Sequence, residues 1–276
     1  VDLARSARPF ALSRFLAQLS SRTDVLLLGL LLGTTAAGLY HAPHRVVTAL
    51  FWIPHFVALA LLPILSRASV ESPERLGRLY QRTLGSAVLF GMPAVAGLLW
   101  IAPGLTVLLF GQEFIPAVPV LRILAILVLL ACLSKIMSAC LLACNREERW
   151  VRHQWKAALV NFVGNLALIP WLGIVGAALA TLIAEALLVV LFAVELALFV
   201  GPPRIASRLG IAFLGTSAFS VIFILLPGSS LAVTVAIGVV VYGAVIFSFP
   251  TIRSYEGRAA FDGWRMLVGR GAGEGP

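Results

Sequence analysis

Apolar residues in this chain come in runs of about 20, each closed by a short break of glycine, proline or charge. A helix needs about 20 apolar residues to cross the hydrocarbon of a bilayer, so these runs constrain the fold before any single residue is considered. They are too long and too continuously apolar for the alternation of a membrane β-barrel. The pattern predicts an all-α, polytopic membrane helix bundle of about eight spans. The first four lie at about residues 9–32, 37–66, 83–102 and 117–143; the next two are the arms of a hairpin containing 161–185; the last two lie at about 208–226 and 231–250.

Composition agrees, and charge placement adds topology. Of 276 residues 60% are hydrophobic and 12% charged, against about 25% charged in a soluble domain. The net charge of +9 does not imply nucleic acid, because the cations cluster in breaks rather than on one soluble face. Arg67, Arg75, Arg78 and Arg82 share one break; Arg146, Arg149, Arg152 and Lys156 share another; Arg204 and Arg208 occupy a third, and further arginines lie in the tail. The break between them in order, APGLTVLLFGQEFIPAVP, carries only Glu113 and is expected on the opposite side as a short helix at the interface. Basic segments in every second break predict an even number of spans with both termini of the chain in the cytoplasm.

The segment Asn161–Glu185, NFVGNLALIPWLGIVGAALATLIAE, brings two apolar runs together at a Pro and Gly hinge with almost no loop. It reads as a helical hairpin. Asn161 and Asn165 lie one turn apart on one face, while Gly173, Gly176, Ala177, Ala180 and Thr181 allow close helix approach. Glu185 is an acid where lipid penalises one.

Other spans also have polar faces. In the first, Ser13, Arg14, Gln18, Ser21, Arg22 and Asp24 share an arc. In the second, His41, His44, Arg45, Thr48, Trp52 and His55 follow helical spacing as one stripe without an acid. The histidines suggest no metal, since no carboxylate accompanies them and Arg45 intervenes. Pro54 should kink this span. Lys135 lies near the middle of the fourth span beside Ser134 and Ser138, so it should face protein or water. Glu195 reads as interfacial. Cys132, Cys140 and Cys144 in one apolar run read as small buried hydrophobes. Phe261, Trp264 and Val268 share a face in a possible interfacial helix of the tail. No paired nucleophile and base, phosphate loop or metal cluster points to an enzyme or a cofactor.

The chain resembles the second half of a bacterial polysaccharide or oligosaccharide flippase, in the superfamily that also holds multidrug and toxin extrusion transporters. The resemblance rests on ordered pieces over roughly residues 10–200: Asp24 before LLLG and GLYHAPHR, then ALLPILSR, LLFGQEFIPAVPVLRILA, LLACNRE and N-x3-N-LALIP-x2-GIVGAALATLIAE. It implies two six-helix lobes around a central cavity, with alternating access carrying a lipid-linked glycan from the cytoplasmic to the outer leaflet of the bacterial inner membrane. On that basis residues 1–200 are expected to form the second lobe, 201–250 two additional helices, and 251–276 a cytoplasmic tail. The first lobe is absent. With Val1 in place of Met, the chain is expected to be a fragment, the alternative being a half-transporter that needs a partner half.

The cargo so implied is a polyprenyl-pyrophosphate sugar, whose pyrophosphate calls for cations in a wet cavity. Arg45 is the first candidate for that contact because of its fork of donors, then Arg22 and Lys135, with His41, His44 and His55 adding hydrogen bonds. Asp24 and Glu185 are the candidates for ion or proton coupling. Each also has a structural reading, with Arg22 or Lys135 neutralising Asp24 or Glu185. In this reading the hairpin supports the lobe while the first two spans and Lys135 face the cargo. Two other functions compete: a multidrug exporter, which an acidic cavity would suit better, and a non-transporting scaffold for glycan assembly, in which the polar stripes are helix glue.

Overall fold

The computed structural model describes residues 23–203, 205–225 and 231–249. Helix α1 is described over Thr23–Leu32. It is followed by α2 (Thr34–Glu71), α3 (Pro73–Phe110), a 3-10 helix (Gln112–Ala117), α4 (Val118–Ala143), α5 (Glu147–Ala197), α6 (Ala206–Leu225) and α7 (Leu231–Phe247). Five of these helical segments are long and apolar enough to cross a membrane. The arc of span one before Thr23, and the tail after residue 249, lie outside the described residues.

The breaks are shorter than the sequence suggests. The break expected between the first two spans is Gly33 alone, at φ 89° and ψ 173°, and α2 begins at Thr34. One glycine suffices because it adopts a backbone region closed to other residues. The basic segment 67–82, expected as a loop, is helical on both sides of Ser72. Ser72 is extended, its hydroxyl accepts from the Arg75 N–H, and Pro73 opens the next helix, which is a complete N-terminal cap. Glu71 and Arg75 pair across that break. Charged residues of this kind favour helix, so the helices run on past their apolar stretch. Likewise α3 continues through Pro103 to Phe110, and the short helix in this break is the 3-10 helix after Gly111. Helix α2 runs on through Pro43, Pro54 and Pro63.

Helix α5 has 51 residues, which as a straight rod would reach about 75 Å, more than twice the hydrocarbon thickness. It turns instead at Gly173, where φ is 59° and ψ is −134°. Its arms lie against each other as the hairpin reading predicts. A Cβ on Gly164 would stand 3.2 Å from the Ala180 Cβ, and one on Gly176 would stand 2.3 Å from the Leu168 carbonyl oxygen. Only glycine lets the two backbones come this close, which is how small residues substitute for a hydrophobic driving force in lipid.

Helix α4 carries no single polar face and packs against α2, α3 and α5, burying more of its apolar stretch than the other long helices do. Leu121, Leu124 and Val128 of α4 meet Leu28, Tyr40, Val47, Leu98, Ile169 and Ala177 in the core. The breaks fall into two groups. At one end Ser69 donates to the Ala143 carbonyl, Gln81 to the Pro202 carbonyl, and Arg208 to the Gln81 and Arg82 carbonyls, so the basic segments come together. At the other, Gly173 lies by Leu32 and the 3-10 helix packs against α2.

The chain separates into two compact units, residues 1–209 and 210–276. In the second, Gly215 lies against the Tyr242 ring and Gly238 against the Phe219 ring, joining α6 to α7.

Candidate functional site

Asp24 sits on α1 at 3% exposure, in the interior of the first unit. Its carboxylate is ringed by neutral donors from two helices, α2 and α5. Asn165 Nδ2 donates to Oδ1 at 3.0 Å, while the Tyr40 hydroxyl and the Thr181 hydroxyl donate to Oδ2, each at 2.8 Å. Asn165 also donates to the backbone carbonyl and side-chain oxygen of Asn161, and Asn161 Nδ2 donates to Thr181 Oγ1 at 3.2 Å. The hairpin positions this set. Asn165 on its first arm and Thr181 on its second are equally far from the bend at Gly173 and therefore face each other, with Asn161 one turn farther along the first arm. Hydrogen bonds to a carboxylate are worth about 1.5–3 kcal/mol each, enough to keep the acid inside the bundle. Asn165 Oδ1 is buried and has no hydrogen-bond partner among the described residues.

The hairpin thus lines the acid as well as supporting the lobe, a role that sequence reasoning did not assign to it. Asp24 and Asn165 are 141 residues apart. The available signal was the N-x3-N pair set against Thr181 across a glycine bend.

The second-span stripe is real as geometry. His41, Arg45, Thr48 and Trp52 are exposed along α2, with His44 and His55 half-buried among them. His44 stacks on Tyr40, and Trp52 meets His55 edge-on. The stripe therefore begins one turn from the Asp24 cluster. Lys135 is half-buried on α4. Glu185 accepts from the Ser134 hydroxyl at 2.6 Å, one turn beyond Thr181 on the same arm. Among the described residues neither Asp24 nor Glu185 takes part in an ion pair, so Lys135 does not neutralise either. Arg22 lies outside the described residues.

Glu195, expected at the membrane interface, is buried among side chains from the start of α5. At 6% exposure it meets His153 Nε2 at 3.2 Å and accepts from Arg149 at 3.3 Å. His153 and Phe192 also meet edge-on, and Arg146 lies over the Phe199 ring. The start of α5 is in this way clasped to the end of the same helix, because the bend brings its two termini to the same end of the bundle. Cys140 is buried, Cys132 and Cys144 are half-buried, and all three are free thiols.

A family model described as "Polysaccharide biosynthesis protein" matches residues 3–119. "Teichuronic acid biosynthesis protein TuaB" of Bacillus subtilis is 26% identical over 246 residues, 83% of this chain and 50% of that protein. "Probable low-salt glycan biosynthesis flippase Agl15" of Haloferax volcanii is 29% identical over 188 residues, 68% of this chain and 40% of that one. Over these stretches the chain is similar to polysaccharide biosynthesis proteins and flippases. Among solved structures, lipid II flippase MurJ in an inward closed conformation superposes with a TM-score of 0.73 at 14% identity, over 86% of this chain and 52% of that one. A MOP superfamily transporter from Pyrococcus furiosus gives 0.61 at 16% identity, over 81% and 54%. The chain therefore shares the fold of MurJ, and Agl15, a second Haloferax volcanii relative, "Probable flippase AglR", and MurJ itself are all named flippases. The chain spans about half the length of the curated relatives it matches.

Proposed function

We propose that this chain forms one lobe of a bacterial inner-membrane flippase that moves a polyprenyl-pyrophosphate-linked oligosaccharide for polysaccharide export, working with a first lobe in the same protein or in a partner half. The observation that carries the reading is a buried carboxylate lined by amides and hydroxyls, one turn from an exposed stripe of Arg45 and histidines, inside a MurJ-like fold. The stripe suits an anionic headgroup, with Arg45 the primary contact, His41, His44 and His55 adding hydrogen bonds, and Arg22 and Lys135 as further cations. Asp24 suits the exchange of a cation or proton as access alternates. Its oxygens lie beside Thr181 Oγ1, and Asn165 supplies a buried oxygen in the same cluster. Glu185 is a second acid one turn along the same arm. The gathering of basic segments at one end of the first unit supports placing that end, and both termini of the chain, in the cytoplasm.

The test is made in cells carrying the whole transporter. Arg45→Ala is expected to accumulate lipid-linked intermediates on the cytoplasmic side, and normal surface glycan in that variant would count against the cargo role. Reconstituted in liposomes, the transporter is expected to move a labelled pyrophosphate-linked glycolipid and not a cationic dye. Movement of the dye alone would favour an exporter, and movement of neither a scaffold.

A further inference from the structure

The buried acid and the exposed stripe are joined by a single turn of α2. The Tyr40 side chain is fully buried, with its hydroxyl 2.8 Å from Asp24 Oδ2 and 3.4 Å from Thr181 Oγ1. Its ring stacks on His44, with centroids 5.6 Å apart and 24° between planes. His44 is followed by the exposed Arg45, and its carbonyl accepts from Thr48. Between Tyr40 and His44 lies Pro43, which has no N–H to donate to the Leu39 carbonyl. This turn therefore lacks one helix hydrogen bond and bends more easily than its neighbours. The other partners of Asp24, Asn165 and Thr181, belong to α5. Among the described residues, only Tyr40 carries a hydrogen bond from the acid into α2.

We propose that Tyr40 is the positioning residue that transmits the charge state of Asp24 to the His44–Arg45 face of α2, with the Pro43 turn as the pivot. The proposal rests on the reading of Asp24 as the coupling acid and the stripe as the cargo face. A charged carboxylate holds a hydroxyl roughly twice as strongly as a neutral acceptor does. When a bound cation neutralises Asp24, Tyr40 loosens, and the imidazole stacked on it shifts with the turn that carries Arg45. Small displacements of this kind become discrete changes because a packed interior has few intermediate arrangements.

The experiment uses the whole transporter with Cys132, Cys140 and Cys144 replaced by alanine and one reporter, Arg45→Cys, whose rate of labelling by a water-soluble maleimide is measured. Asp24→Asn is expected to change that rate by at least about fivefold, the lower end of an ordinary coupling between sites. Tyr40→Phe is expected to abolish the Asp24→Asn effect, so the double variant labels like Tyr40→Phe alone. Thr181→Val, which removes another partner of Asp24 without touching α2, is expected to leave the effect in place. The proposal is overturned if Asp24→Asn has no effect at position 45. Additive effects of Asp24→Asn and Tyr40→Phe would overturn it too, as would loss of the effect in Thr181→Val as complete as in Tyr40→Phe. A second reporter, Val70→Cys, is expected to stay constant throughout; a matching change there in Tyr40→Phe would assign Tyr40 to general packing and also overturn the link. The coupling reading itself is judged separately, by whether transport in Asp24→Asn still follows an imposed ion gradient. Either result can fail while the other stands.

Discussion

Asp24 keeps its place because each side chain that touches it through a hydrogen bond donates one. An interhelical hydrogen bond in a membrane is commonly worth only about 0.6–2 kcal/mol, since the separated helices find other partners. A charged acceptor raises the stake, and one lost donor here should cost about 1–3 kcal/mol. Thr181→Val and Asn165→Leu are therefore both expected to lower the thermal stability of the purified protein in detergent, with Asn165→Leu the worse because it also loses the bonds to Asn161. Equal stability to the parent would show that the ring of donors does not hold the acid. The clasp at Glu195 permits a sharper comparison. His153→Ala leaves a buried carboxylate short of one partner and should cost about 1–3 kcal/mol. The double variant His153→Leu with Glu195→Leu should recover most of that loss, because an apolar pair of similar volume is often as stable as the polar pair it replaces. Failure of the double variant to recover would mean that the clasp contributes more than local satisfaction.

At the scale of an element, α5 decides where the site forms. Gly173 at φ 59° and ψ −134° occupies a region that other residues enter only at a cost of about 1–3 kcal/mol. Gly173→Ala should lower stability by that order while leaving the arms in contact. Gly176→Val should act differently, because even the first carbon of its side chain meets the Leu168 backbone at 2.3 Å. We expect it to part the arms, so that a disulfide engineered between Gly164→Cys and Ala180→Cys forms readily in the parent and poorly in the Gly176 variant. Efficient cross-linking there would show that the hairpin tolerates the added volume. The hairpin itself was legible from Pro170, Gly173 and the small residues after them, because helix breaking and small size are local properties. The true lengths of the breaks were not. Ser72 and Gly33 each end a helix alone, through a cap and a backbone angle that composition does not reveal.

Across the first unit, the breaks after α2, α4 and α5 gather at the basic end, and those at Gly33, Gly111 and Gly173 lie away from it. This arrangement predicts topology directly. In a cysteine-free version of the whole protein, Ile115→Cys in the 3-10 helix is expected to react with an impermeant maleimide from outside intact cells. Val70→Cys is expected to react only after the membrane is opened, and the reverse pattern would invert the proposed orientation.

Sequence alone establishes that the chain is a bundle of membrane helices, which of its breaks are basic, and that residues 161–185 fold back on themselves. These follow from apolar run length, charge position and local backbone preference, all properties of neighbours in the chain. Tertiary packing sets the rest: Tyr40, Asn165 and Thr181 converge on Asp24, Ser134 rather than Lys135 meets Glu185, and Glu195 is buried against His153. Those choices depend on how far each helix slides and rotates against its neighbours. That register is set by glycine contacts and hydrogen bonds between distant residues, and no periodicity within a single helix encodes it.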